Sequence, residues 1–182
     1  NDYLPSMSLC WTMVSAQDCG VTAPLHEMDA VWKNNTKHYT SVTMMGEERC
    51  RYGVEMATVL RGSLEEVKRR PPFSLICCTI APLVQDKEAI EGSLVLAEAG
   101  IPVVVMSMPT MGTTAPATYA GALALADAEV ISATVLLQLS TPGARVFHCI
   151  LHAWADPRTG GYVGYPLDSR NRYAPVEIAH HW

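Results

Sequence analysis

Five short apolar runs alternate with longer stretches of helical periodicity, and the runs begin at residues 8, 38, 73, 101 and 144, so 28 to 43 residues apart. That spacing fits a β-strand, a crossover helix and a return to a neighbouring parallel strand. Ser8-Leu-Cys-Trp-Thr-Met-Val-Ser15 reads as the first strand. His38-Tyr-Thr-Ser-Val-Thr-Met44 alternates and is rich in β-branched residues, which makes it the second. Phe73-Ser-Leu-Ile-Cys-Cys-Thr-Ile80 is apolar on both faces, as a buried parallel strand should be. Ile101-Pro-Val-Val-Val-Met-Ser-Met108 is the fourth, with Pro102 tolerated at its start, and residues 144–151 are the fifth.

The helices between them carry their own punctuation. A short helix is expected near residues 26–35. Residues 47–70 read as one long helix, with Glu47 and Glu48 in its first turn and Lys68, Arg69 and Arg70 in its last, until Pro71-Pro72 stop it. Asp86 caps a helix that ends before Gly100. Thr113 or Thr114 caps the next, which runs to about Leu139 with Pro116 in its first turn. Residues 156–164 form a Gly-rich loop ahead of a last helix from about Asn171.

This is an α/β chain with a parallel sheet. Closing such a sheet into a TIM-type (β/α)8 barrel takes eight strands and about 250 residues. Five strands left alone would present two unpaired edges. The chain also starts at Asn1 without an initiator Met, and ends at His180-His181-Trp182 inside a helical pattern with no cap. The expectation is a fragment of about five β/α units: residues 1–182 as the central part of a single barrel domain.

Charge narrows the function classes. The net charge is −5, and no basic run marks a nucleic-acid face. No leader and no uninterrupted apolar stretch of 18 residues is present, so a cytoplasmic protein without a membrane partner is expected. The six cysteines form no CxxC pair and read as buried thiols, Cys77 and Cys78 on opposite sides of their strand. His148 and His152 lie four residues apart, which on a strand is about 13 Å, too far to share one zinc. His26-Glu27 lacks the rest of HExxH, and no metal site is expected.

In a barrel the active site lies at the C-terminal strand ends. Those ends are Ser15 and Asp18, Met44 and Met45, Thr79 and Ile80, Ser107 and Met108, and His152, Trp154 and Asp156. Residues 109–114 run from a strand end into a helix start, so the amides and hydroxyls around Met111, Gly112, Thr113 and Thr114 are candidates for an anion; a plain helix cap is the simpler use of them. Met106, Met108 and Met111 offer a soft apolar wall, or core filler. Asp156, Arg158 and Thr159 make a polar cluster on the last loop.

Several blocks in order resemble the trimethylamine:corrinoid methyltransferase family. They are Thr36-Lys37, Glu55-Met-Ala57, Cys78-Thr-Ile-Ala-Pro-Leu83, Ala99-Gly-Ile-Pro102, Asp127-Ala-Glu-Val130, Gln138-Leu139, Pro142-Gly-Ala144 and Asp156-Pro-Arg-Thr-Gly160. The most distinctive is Met106-Ser-Met-Pro-Thr-Met-Gly-Thr-Thr-Ala-Pro-Ala-Thr-Tyr-Ala-Gly121. Tyr165-Pro-Leu-Asp168 departs from the Pro-Glu pair of many members.

The resemblance implies a (β/α)8 barrel that moves a methyl group from trimethylamine or a betaine-type quaternary amine to the Co(I) of a corrinoid protein. The cobamide is carried by that partner and not bound directly. Full-length members are expected to form homo-oligomers. The family's pyrrolysine position falls just past Trp182, so the catalytic residue and the subgroup lie outside the chain. For such a reaction Trp154, with Trp11, is a candidate box for the ammonium, and Asp156 a source of charge; simple packing is the alternative for both rings. Thr79, Ser107, Met108 and Arg158 are further candidates at the mouth. An unrelated barrel enzyme and a non-catalytic subunit that binds the corrinoid protein both remain open.

Overall fold

A computed structural model describes residues 9–12, 14–163 and 170–181. Its first strand, β1, is Leu9–Cys10; Ser8 and Met13, inside the expected strand, are outside the described residues. A 3-10 turn (Gln17–Thr22) leads into α1 (Ala23–Asn34). There follow β2 (His38–Ser41), α2 (Glu47–Arg61), α3 (Leu64–Arg69), β3 (Phe73–Cys78), α4 (Lys87–Glu98) and β4 (Val103–Ser107). The rest comprises β5 (Thr110–Met111), α5 (Tyr119–Ser140), β6 (Val146–Ile150), β7 (Ala153–Ala155), β8 (Tyr162–Val163) and α6 (Arg170–Ala179).

The main sheet has the order β1-β2-β3-β4-β6. Its ladders are parallel, with Leu9 opposite His38 and Tyr39 opposite Phe73. Leu75 N donates to Pro102 O and, four residues on, Thr79 N donates to Met106 O, so β3 and β4 advance together. Val103 N to Arg145 O and Leu151 N to Ser107 O show the same for β4 and β6. The α/β class with a parallel five-stranded sheet is therefore as the sequence implies.

Contacts group the chain into two compact units. The first holds residues 1–77, 87–104 and 137–146. Its core includes Met28, Tyr39, Met44, Phe73, Leu75, Leu96 and Ile101, none of them exposed. Each such side chain contributes about 1.5–3 kcal/mol by leaving water. Trp32 meets Phe73 edge-on, with centroids 6.1 Å apart. The second unit holds residues 78–86, 105–136 and 147–182. There α5 buries Ala122, Ala126, Glu129, Val130 and Ala133, a stripe at helical spacing. By length and composition α5 would suffice to cross a bilayer. Its buried stripe, interrupted by a hydrogen-bonded carboxylate, is that of a helix packed on a core.

Three expected elements need correction. Residues 47–70 are two helices, not one: Gly62 takes φ +86, its N–H closes on Thr58 O at 2.8 Å, and Ser63 Oγ then accepts Glu66 N–H to start α3. A left-handed glycine ends a helix more firmly than flanking charge extends it. Thr113 and Thr114 do not cap α5. The N–H groups of Thr113, Thr114 and Ala115 all turn back to Thr110 O, and Thr114 Oγ1 accepts Thr110 N–H, so a tight turn stands where the helix was expected and α5 begins at Tyr119. Finally, residues 156–164 are not all loop: β8 pairs antiparallel with β7, which pairs parallel with β5. The departure at Tyr165–Asp168 lies outside the described residues, as does Trp182.

Candidate functional site

In the second unit the chain leaves β3 through Thr79 and β4 through Ser107. Thr79 N donates to Met106 O, which sets these two side chains level on the same face of the sheet. Both hydroxyls donate to one carboxylate oxygen, Glu129 Oε2, Thr79 Oγ1 at 2.6 Å and Ser107 Oγ at 2.7 Å. Glu129 is 1% exposed. Its other oxygen, Oε1, accepts Leu83 N–H at 2.7 Å. Gln85 Nε2 donates to Glu129 O and to Ser132 Oγ, both at 2.8 Å. The loop after β3 is thus tied to α5 at several points. Within it Ile80 and Val84 exchange backbone hydrogen bonds, and Leu83 holds φ +59. Ile80, Leu83 and Val84 are exposed, so the carboxylate presents a firmly held apolar loop tip.

The first unit repeats the device. Glu27, on α1 and 3% exposed, accepts Ser15 Oγ at 2.7 Å, Thr43 Oγ1 at 2.7 Å, Ala16 N–H at 3.1 Å and Thr12 Oγ1 at 3.4 Å. Thr12 and Ser15 follow β1, and Thr43 follows β2. Burial alone pushes the carboxyl up, but hydrogen bonds from Ser15, Thr43, Ala16 and Thr12 together hold it below its ordinary 4.5. A carboxyl depressed on folding stabilises the protein above its ordinary range, and that contribution is lost as pH falls through the folded value. Glu27→Gln is therefore expected to lower the denaturation midpoint at pH 7 and to make it less sensitive to acidification toward pH 3. Equal acid sensitivity of the two proteins would remove the linkage.

The remaining predicted residues fall as follows. Met108, just past β4, is 40% exposed. Met111 is buried on β5, where its Cα partner is Trp154 of β7. Trp154 is 36% exposed. Trp11, 49% exposed beyond β1, belongs to the first unit and Trp154 to the second. Gly112 takes φ +89 and its N–H donates to Ala115 O, so the amides of this turn serve one another. Asp156 closes a turn of its own: Oδ1 accepts Arg158 N–H at 2.9 Å and Oδ2 accepts Thr159 Oγ1 at 3.0 Å, and these bonds, Arg158's first, hold its carboxyl low.

Of the other strand ends, Ser15 is tied to Glu27, Asp18 sits in the 3-10 turn, Met44 is fully buried and Met45 half-buried. His152 is buried edge-on against Tyr119, centroids 4.9 Å apart, and burial keeps its imidazole below the ordinary value and so neutral at pH 7. His148 lies in β6 and bonds Asp127 Oδ1 through Nε2 at 2.8 Å. Among the described residues no three His, Cys, Asp or Glu side chains group as a metal site.

The structure thus brings Thr79 and Ser107 together, and Met111 with Trp154. It adds two carboxylates for which the sequence suggests no such role, Glu27 being weighed there only against a metal motif. Both had a signal: Glu129 falls on the apolar stripe of α5, and Glu27 stands one position before the fully buried Met28. A lone charge on the buried face of a helix requires partners from elsewhere in the chain.

The family model described as trimethylamine methyltransferase (MTTB) matches residues 4–182. The trimethylamine methyltransferase MttB2 of Methanosarcina mazei is 34% identical over 145 residues, covering 80% of this chain and 28% of the relative. A glycine betaine methyltransferase of Desulfitobacterium hafniense strain Y51 is 33% identical over 135 residues, 74% of this chain and 28% of the relative. The trimethylamine methyltransferase MttB of D. hafniense strain DCB-2 is 32% identical over 176 residues, 96% of this chain and 33% of the relative. The chain spans about a third or less of the length of these relatives.

Proposed function

Because the chain belongs to the trimethylamine methyltransferase family, we propose that the full protein moves a methyl group from a methylated amine to the Co(I) of a corrinoid protein. The observation that carries this reading is the family match, which spans residues 4–182 and so takes in the ends of β3 and β4. The five parallel strands are then part of a (β/α)8 barrel, and the cobamide stays on a separate partner protein. The substrate class is trimethylamine or a betaine-type quaternary amine, the two kinds named among the relatives. The protein works in the cytoplasm and assembles as a homo-oligomer.

The reaction is an in-line displacement: the C–N bond breaks as the methyl carbon passes to cobalt, and the amine leaves with the bonding pair. The demand on the protein is alignment and exclusion of water, which can supply several kcal/mol. Glu129 contributes by fixing the ends of β3 and β4. Trp154, partly exposed on β7, offers a ring face to the ammonium, worth about 0.5–2 kcal/mol. Met108 adds a soft apolar surface beside the strand end.

The test uses the full-length protein with its Co(I) corrinoid partner and a panel of methylamines and betaines. A methyl-Co(III) spectrum with at least one donor is expected. Its absence with every donor would overturn the proposal, and a corrinoid protein that still bound would leave a purely docking subunit.

A further inference from the structure

Helix α2 has two apolar faces, and the first unit buries only one of them. Cys50, Gly53 and Ala57 form the buried face. Tyr52, Met56, Val59 and Leu60 recur at the same helical spacing on a neighbouring face, where a surface helix ordinarily turns polar residues to water. Tyr52 and Leu60 are exposed, and Val59 is 84% exposed. With Leu25 and Trp32 of α1 these side chains line a groove of about 540 Å³ between the two helices. The floor is held from below, because Trp32 stands edge-on to the fully buried Phe73. The walls differ in charge. Asp29 and Lys33 on the α1 side satisfy each other at 2.7 Å. Glu55 on the α2 side has no ion-pair partner among the described residues.

Closing a barrel would leave this groove open. α1 joins β1 to β2 and α2 follows β2, whereas further strands can join the sheet only beyond β1 or beyond β6. Helices that arrive with those strands extend the outer layer sideways and do not run over α1 and α2. The relatives have chain to spare for such a cover. The 145 matched residues are 28% of the Methanosarcina mazei relative, which makes that chain about 520 residues long. A (β/α)8 barrel takes about 250, so about half of that length is left over.

We propose that the groove between α1 and α2 is filled by an amphipathic helix from the part of the full chain that lies outside both residues 1–182 and the barrel. Residues 52–60 advance about 12 Å along α2, roughly two turns, which matches apolar anchors at i, i+4 and i+7 of a helix laid in a groove. A Lys or Arg of that helix faces Glu55 and supplies the charge the groove lacks. The proposal rests on the family's chain length and not on the methyl-transfer reading.

The experiment measures maleimide labelling of full-length Val59→Cys, read on the peptide that carries position 59 and compared with the same protein in denaturant. Glu65→Cys, on α3 outside the groove, is the exposed control. Position 59 should be protected roughly a hundredfold or more at every protein concentration, and position 65 less than about tenfold. Adding Glu55→Lys, which sets like charges together, should cut the protection of position 59 by about tenfold. The proposal is overturned if position 59 labels as fast as position 65, since the groove is then open in the whole chain. It is also overturned if protection fades on dilution, because a second copy is then the cover. Protection unmoved by Glu55→Lys would reject the basic helix. No methyl donor or corrinoid enters the assay, so its outcome is separate from that of the methyl-transfer test.

Discussion

Replacing Glu129 with Ala is expected to destabilise the full-length protein by about 4 kcal/mol, read as a lowered denaturant midpoint at unchanged slope. The change strands two buried hydroxyls, Thr79 Oγ1 and Ser107 Oγ, which now donate to the same carboxylate oxygen at 2.6 and 2.7 Å. Hydrogen bonds to a charged group contribute about 1.5–3 kcal/mol each, and losing them in a buried place exacts the desolvation of both hydroxyls. The loss of Leu83 N–H adds less, since that residue is largely exposed and water can serve its amide. Water entering the polar cavity would soften the total, which is why the figure sits below the sum of the parts.

Two companions separate charge from shape. Glu129→Gln keeps the length, and its amide can turn so that oxygen faces Leu83 N–H while NH2 donates to the two hydroxyls, which also accept. Its cost should be only about 1–2 kcal/mol. Thr79→Val with Ser107→Ala leaves the carboxylate buried with one donor and should cost as much as Glu129→Ala, because an uncompensated buried charge costs about 3–5 kcal/mol. Converting all three to apolar residues, with Met at 129, should recover most of the loss, since removing both partners of a buried bond is nearly neutral. A Glu129→Ala protein within about 1 kcal/mol of the native one would show that the carboxylate is not the tie between β3, β4 and the loop that follows.

How far the sequence discloses this arrangement depends on the range of the contacts involved. The strand-helix alternation is legible because each element carries its own evidence: residues 73–78 are apolar but for Ser74, and Gly100, at φ +72, stops α4 where the sequence places the stop. Two- and three-residue strands such as β5, β7 and β8 hold too few residues to show a period of two, so the small second sheet has no local signature. Residues 47–70 read as a single helix because charges at both ends suit one long helix as well as two, and only Gly62 and the Ser63 cap distinguish them. The Glu129 cluster joins residues 50 and 22 positions apart in the chain. Nothing near Glu129 names Thr79 or Ser107, though both were legible as strand ends. Its one local signal is that a carboxylate occupies a buried position of α5. Family resemblance supplied the chemistry, and the residues ending the strands supplied the place, but the partner of those residues required the fold.

A second large effect is expected on the helix layer, where Gly92→Val should destabilise the protein by about 3–5 kcal/mol. A Cβ at Gly92 of α4 would meet Cys50 Sγ of α2 at 2.7 Å and the backbone N and O of Gly46 at 3.3 Å. Neither neighbour can yield cheaply. Gly46 is fixed from both sides, its N–H donating to Glu88 O at 3.0 Å and its O accepting Cys50 N–H at 3.2 Å. Cys50 is fully buried, and burial pushes its thiol up to about 12, so it stays neutral and packs as a small apolar group. Gly92→Ala sets two terms against each other. Helix propensity gains about 1 kcal/mol, while overpacking costs about 1–3 kcal/mol, so a net loss of about 1 kcal/mol is expected. Valine adds two further carbons to the same gap and has little propensity to offset them. The sulfur can be separated from the backbone by a double change. Cys50→Ala removes the 2.7 Å contact but not the Gly46 contacts, so it should recover part of the Gly92→Ala loss, with a coupling of about 1 kcal/mol. Strictly additive losses would mean that α4 shifts away from α2 as a unit, and the close approach at Gly92 would then be a consequence of the packing rather than a condition for it.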